Sequence, residues 1–103
     1  MTEYEIYFQY NSAVRQAQKL DEIARKLEKL STDKMNSTLR SLKAAWQSDN
    51  SAQYYQKAGK AQEDVKETAS QIRKIADGIR TTAEAVKNSE LRALEIARQR
   101  SYR

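Results

Sequence analysis

The chain has 103 residues, enough for one domain, with 19 basic and 14 acidic side chains, no Cys, no His, no Pro and only two Gly. These counts exclude disulfide and thiol chemistry, remove the commonest general base and metal ligand, and leave almost nothing to interrupt a helix. An all-α fold is expected, with no catalytic, cofactor or metal residues and no enzymatic activity. No apolar run is long enough to span a bilayer, and Met1-Thr2-Glu3-Tyr4-Glu5 is acidic where a secretory signal would be basic and then apolar.

The first segment, Glu3 to Tyr10, alternates Tyr4, Ile6, Phe8 and Tyr10 with more polar neighbours. That period of two predicts an extended aromatic arm over residues 1–11, folded onto the helices or paired with another molecule. Asn11 and Ser12 can cap a helix, and from there Ala13, Ala17, Leu20, Ala24, Leu27, Met35, Leu39, Leu42 and Trp46 recur at steps of three, four or their sums. The spacing predicts one amphipathic helix over 12–46, its apolar face widened by Ile23 and Leu30. Its weakest turn is Ser31-Thr32-Asp33-Lys34, whose side chains compete for backbone hydrogen bonds. Without Gly or Pro, a kink there is compatible with the pattern and a break is not.

A turn is expected over 47–50, where Trp46, the sole Trp, is followed by Gln47, Ser48, Asp49, Asn50 and Ser51. The last three can each cap a second helix, and an indole at this elbow can cover the ends of both helices. The second helix is expected over 51–99. Its residues Ala58, Gln62, Val65, Ala69, Ile72, Ala76, Ile79, Ala83, Val86, Glu90, Ala93 and Ala97 alternate steps of four and three without a slip. This is a heptad seam in which a line of Ala makes room for the branched side chains of a neighbouring helix. Ile75, Leu91 and Leu94 lie at its margins, facing a second hairpin. Gly78 beside the seam fits either a close backbone approach or an exposed position of no consequence. Residues 100–103 form a basic tail.

Helices of roughly 35 and 45 residues would be roughly 50 and 65 Å long, and one such antiparallel hairpin has a single thin interface. Seven Leu, six Ile, three Val and one Phe fall below the roughly 20% at which a charged chain begins to lack apolar residues for independent folding. Two hairpins side by side, in a four-helix bundle dimer, solve this problem. The expected partner interface comprises Leu20, Leu27, Val65, Ala69, Ile72, Ile75, Ala76, Ile79, Ala83 and Leu94, facing a second copy or a helical segment of another protein.

A chain of this length with two long helices, a Trp elbow and Ala52 followed by Tyr54-Tyr55 early in helix two resembles the Trp-x-Gly (WXG) superfamily. These small proteins are relatives of the early secreted antigenic target of mycobacteria. The resemblance implies export of a folded helical-hairpin dimer through the type VII secretion apparatus of Gram-positive bacteria. It also implies escort of a larger toxin with a related helical N-terminal domain, and a location in the cytoplasm before export and outside or on the cell surface after it. The sequence departs from the family pattern twice. Trp46-Gln47-Ser48 has Ser where the family has Gly, so the turn is expected to be tighter or less left-handed. The Tyr-x-x-x-Asp/Glu export signal has as its counterpart Val86-Lys87-Asn88-Ser89-Glu90, with the acid kept and the Tyr replaced, so that it either works in degenerate form or is supplied by the partner.

A second functional class is a basic helical adaptor that binds nucleic acid through Arg92, Arg98, Arg100 and Arg103, which have only Glu90 and Glu95 nearby. The macrodipole alone favours cations at a helix C-terminus, so nucleic acid is the less favoured partner. For an enzyme, Asp21, Glu22, Asp64 and Glu67 fall at the spacing of surface charge pairs and not in an apolar pocket.

Overall fold

In the computed structural model, which describes residues 1–48 and 51–101, every element is helical. Helix α1 spans Glu3–Lys29, a π-helical segment spans Leu30–Met35, α2 spans Asn36–Ala45 and α3 spans Ser51–Ser101. The order fits a helical hairpin, and no strand occurs among the described residues. Asp49 and Asn50, expected to cap the second helix, and Tyr102 and Arg103 of the tail lie outside the described residues.

The expected extended arm over 1–11 is corrected: the chain is helical from Glu3 and not from residue 12. The cause is local. Thr2 caps the helix, its Oγ1 accepting from the Glu5 N–H at 3.2 Å and its carbonyl from the Ile6 N–H at 3.1 Å. Thr2-x-x-Glu5 also has the spacing of a capping box, and Glu3 and Glu5 sit in the first turn, where the macrodipole favours acids. The alternation that suggests a strand also contains two helical pairs. Tyr4 and Phe8, four apart, stack at 6.2 Å between centroids, and of Ile6 and Tyr10, also four apart, the first is buried and the second half-buried.

The weak turn over 31–34 keeps its helical path and widens into the π segment. Thr32 Oγ1 donates to the Glu28 carbonyl at 2.8 Å, the back-bonding expected of such a residue inside a helix.

The chain divides into two compact units. One comprises residues 1–20 and 74–103, the other residues 21–73. Each is an antiparallel pairing of helical segments. In the first, Ile6, Ala17 and Ala76 are buried; in the second, Ala24, Ala69, Ser31 and Ser51 are. Apart from Ile6 the fully covered side chains are alanine, with serine in the second unit, which allows close helix approach and buries little apolar area.

At Gly78 an added Cβ would meet nothing within 4 Å, so the exposed reading is the correct one and no neighbouring backbone requires the glycine. Gly78→Ala is therefore expected to raise stability by about 1 kcal/mol. Ala76→Leu, at a fully covered position, should lower it by about 1 to 3 kcal/mol. Thermal or urea unfolding of the two variants checks the contrast.

Candidate functional site

Three places gather side chains with chemistry beyond simple packing: the elbow, the π segment with its partners, and a groove in the first unit.

At the elbow, Trp46 ends α2 with an extended backbone (φ −129°, ψ 98°), and its N–H donates to the Leu42 carbonyl at 2.8 Å. Its ring lies 5.1 Å from Tyr54, tilted by 42°, and 6.4 Å edge-on from Tyr55. The Tyr55 hydroxyl donates to the Trp46 carbonyl and sits 3.4 Å from that of Leu42. One phenol thereby ties the end of α2 to α3. Ser51 closes the turn: its Oγ donates to the Ser48 carbonyl at 2.7 Å and accepts from the Ser48 N–H at 3.3 Å. No described residue has positive φ, so Ser48 holds its place without a left-handed backbone. Trp46 stays 36% exposed and Tyr54 54%; the indole covers the elbow only in part. Gln47 and Ser48 are exposed.

In the second unit, the π segment carries a polar node. Ser31 is fully buried. Its Oγ donates to the Gln62 carbonyl at 3.1 Å, while Gln62 Nε2 donates to the Ser31 carbonyl and to Asn36 Oδ1, both at 2.6 Å. No buried side-chain polar atom among the described residues lacks a partner. Ser31, Asn36 and Gln62 are absent from the expected site residues. Gln62 falls on the heptad seam as a polar interruption, and that was the readable signal. Nearby, Arg73 Nε donates to Glu28 Oε1 at 2.6 Å and its Nη2 to Oε2 at 3.0 Å. This two-pronged hydrogen bond, aided by the guanidinium charge, outweighs desolvation and holds the Glu28 carboxyl below its ordinary value of 4.5.

In the first unit, a groove of about 210 Å³ runs between Ile6, Tyr10 and Ala13 on α1 and Ala83, Val86, Lys87 and Glu90 on α3. Lys87 Nζ stands 4.2 Å over the Tyr10 ring. Val86 and Glu90, the residues matched to the degenerate export signal, thus share one wall of a mainly apolar groove. Arg98 reaches Glu3 at 3.4 Å, while Arg92 and Arg100 are exposed.

The expected partner-interface residues do not share one environment. Ala69 and Ala76 are fully covered within the chain, so they serve its own packing and are not available to a partner. Leu20, Leu27, Val65, Ile72, Ile79, Ala83 and Leu94 are half-buried, and Ile75 is 57% exposed. Beyond Ala83 the covered side of α3 leaves the heptad seam. Val86, Ala93 and Ala97 are exposed while Glu90 stays half-buried, and Lys87, Leu91 and Leu94, off the seam, are half-buried with it. A straight α-helix drifts by about 20° per heptad, which accounts for the change.

No family model, curated protein or solved structure matches the chain.

Trp46→Ala should cost about 2 kcal/mol, less than the roughly 3 to 5 kcal/mol of a fully buried ring, because a third of the residue already faces solvent. Equilibrium unfolding measures it. The Glu28–Arg73 pair should contribute stability above the ordinary carboxylate range and lose it as pH falls through the depressed folded-state value. Glu28→Gln should accordingly unfold more easily than the parent at neutral pH and equally easily once acidification has protonated the carboxylate in both states.

Proposed function

We propose that this chain is a non-enzymatic, WXG-like protein of a Gram-positive type VII secretion system. It pairs side by side with a second helical hairpin into a four-helix bundle. It is exported in that folded form, or escorts a larger effector whose helical N-terminal domain takes the place of the second hairpin. On this reading it is cytoplasmic before export and secreted or cell-surface afterwards.

The observation that carries the reading is an exposed apolar stripe on α3. Ile75, Val86 and Ile96 are 57%, 51% and 45% exposed. With Ile79, Thr82, Ser89 and Ala93 they recur at steps of three and four, and no charged residue interrupts the series. A surface helix in a chain that is 32% charged has little reason to keep seven successive stripe positions uncharged unless another helix covers them. The small residues within the stripe permit close approach, and its seven-residue period suits a gently supercoiled neighbour. The groove beside Val86 adds a depression into which a partner's side chain fits. The helical hairpin, the Trp elbow and the Tyr54-Tyr55 pair that the resemblance rests on support the same reading.

The purified chain should sediment at about twice its 11.9 kDa mass at micromolar concentration, or do so with an effector's helical domain when that is co-expressed. Val86→Asp combined with Ile75→Asp should give a helical species that no longer associates, since a charge buried without a partner is strongly unfavourable in such an interface. In a Gram-positive host carrying the apparatus, the parent should appear outside the cell uncleaved and the double variant should not. A stable monomer that pairs with nothing, or unimpaired association of the double variant, contradicts the reading.

A further inference from the structure

We propose that the elbow is a docking surface for anionic phospholipid membranes, on which it rests without inserting a helix. The proposal concerns residues of the second unit and goes beyond the partner stripe, which belongs to the first.

The elbow exposes an unusual set of side chains. Leu42 is 39% exposed, Trp46 36% and Tyr54 54%, in a stretch where Ala44 and Ala45 are also exposed. Cations border the rings. Lys43 Nζ lies 5.5 Å from the Tyr55 centroid and Lys57 Nζ 5.9 Å from that of Tyr54. In sequence, Arg40, Lys43, Lys57 and Lys60 stand against the single acid Asp49 between residues 40 and 62. Indole and phenol rings with an apolar body and a polar tip partition to the boundary between headgroups and acyl chains. Lysines beside them are drawn to anionic headgroups while their stems cover apolar surface. Charge complementarity therefore selects an anionic surface, and the rings select one with an apolar layer beneath the charge. The contrast with the partner stripe supports a different occupant, because that stripe is uncharged throughout.

The ring geometry disfavours the other polyanion, a nucleic acid. Base stacking requires a free aromatic face, whereas Trp46 is tilted onto Tyr54 and edged by Tyr55, with a lysine over each tyrosine. Trp46 and Tyr54 nonetheless stay 36% and 54% exposed, which suits contact with a headgroup layer. Among the described residues no helix is long and apolar enough to cross a membrane, so contact is by lying on the surface.

Trp46 is the sole Trp, so its emission reports on the site. The full chain is mixed with phosphatidylglycerol vesicles, with phosphatidylcholine vesicles, and with single- and double-stranded DNA and RNA fragments. The expected result is co-sedimentation with phosphatidylglycerol vesicles and a blue shift of Trp46 emission, both lost as salt is raised to about 0.5 M, with neither seen on phosphatidylcholine. Lys43→Gln with Lys57→Gln should weaken vesicle binding by about tenfold or more while circular dichroism stays that of the parent. Arg40→Gln with Lys60→Gln, further from the rings, is a second variant should the first melt early, and it too should weaken binding. Equal affinity for the two lipids, binding that survives high salt, unchanged binding by a folded lysine variant, or tighter binding to a nucleic acid than to the vesicles each overturns the proposal.

Discussion

The hydrogen bonds between Gln62 and Ser31 are the constraint on which the pairing of helices in the second unit depends. The seam of α3 repeats nearly the same residues every seven positions, with Val65, Ile72, Ile79 and Val86 on one line and Ala69, Ala76 and Ala83 on the other. Sliding α3 by one heptad would set Ala on Ala and Val or Ile on Val or Ile again, at little cost in apolar burial. Charge does not resolve the ambiguity. Glu28 pairs with Arg73, yet Lys66 and Arg80 lie seven residues to either side, and either could serve a slipped helix. Gln62 has no such understudy, because Tyr55 and Ala69 occupy the corresponding positions. A slip would leave the Ser31 carbonyl and Asn36 Oδ1 without the Gln62 side-chain amide that donates to both, and a part-buried polar group left unsatisfied costs about 1 to 3 kcal/mol. A single polar position in a repetitive apolar seam is a known means of fixing register.

The same repetition explains why α3 has two faces. A seven-residue period matches the 3.6-residue turn only if the helix supercoils, and a straighter helix carries the seam gradually away from its neighbour. At Val86 the heptad line is exposed, with Lys87 and Leu91 half-buried off it. Ile75 and Ile96 extend the exposed line in both directions. The sequence is thus more regular than the chain's own packing requires, and this surplus regularity supports the proposal that a second hairpin covers the stripe. Cores built on Ala17, Ala24, Ala69 and Ala76 bury little, which makes coverage by a partner energetically consequential.

Much of the fold was legible in the residues, because few competing elements are available to a chain without Pro and with two Gly. The end of the first long helix at Trp46 and the start of the second at Ser51 follow from polar capping residues placed between two periodic apolar series. The N-terminal segment was misread because Tyr4, Ile6, Phe8 and Tyr10 satisfy both a period of two and, pairwise, a spacing of four. Thr2 with Glu5 decides for the helix. The polar turn at 31–34 announced a weakness but not its form. The π segment turns Ser31 toward Gln62, a tertiary relation across 31 residues that no local pattern encodes. The site was less legible than the fold. Ala69 and Ala76 carry the seam signature as fully as Ile75 does, but which side of a seam meets the chain itself and which remains free depends on helix twist accumulated over many turns.

Register is the most direct test, and the absence of Cys makes it accessible. With Cys introduced at Glu28 and Arg73, or at Glu28 and Lys66, mild oxidation traps the native or the seven-residue-slipped pairing respectively. The account predicts that in the parent background only the 28–73 pair closes. With Gln62→Leu, helicity should be unchanged and both pairs should close. Exclusive closure of the 28–73 pair in the Gln62→Leu background would contradict the claim that this amide sets the register.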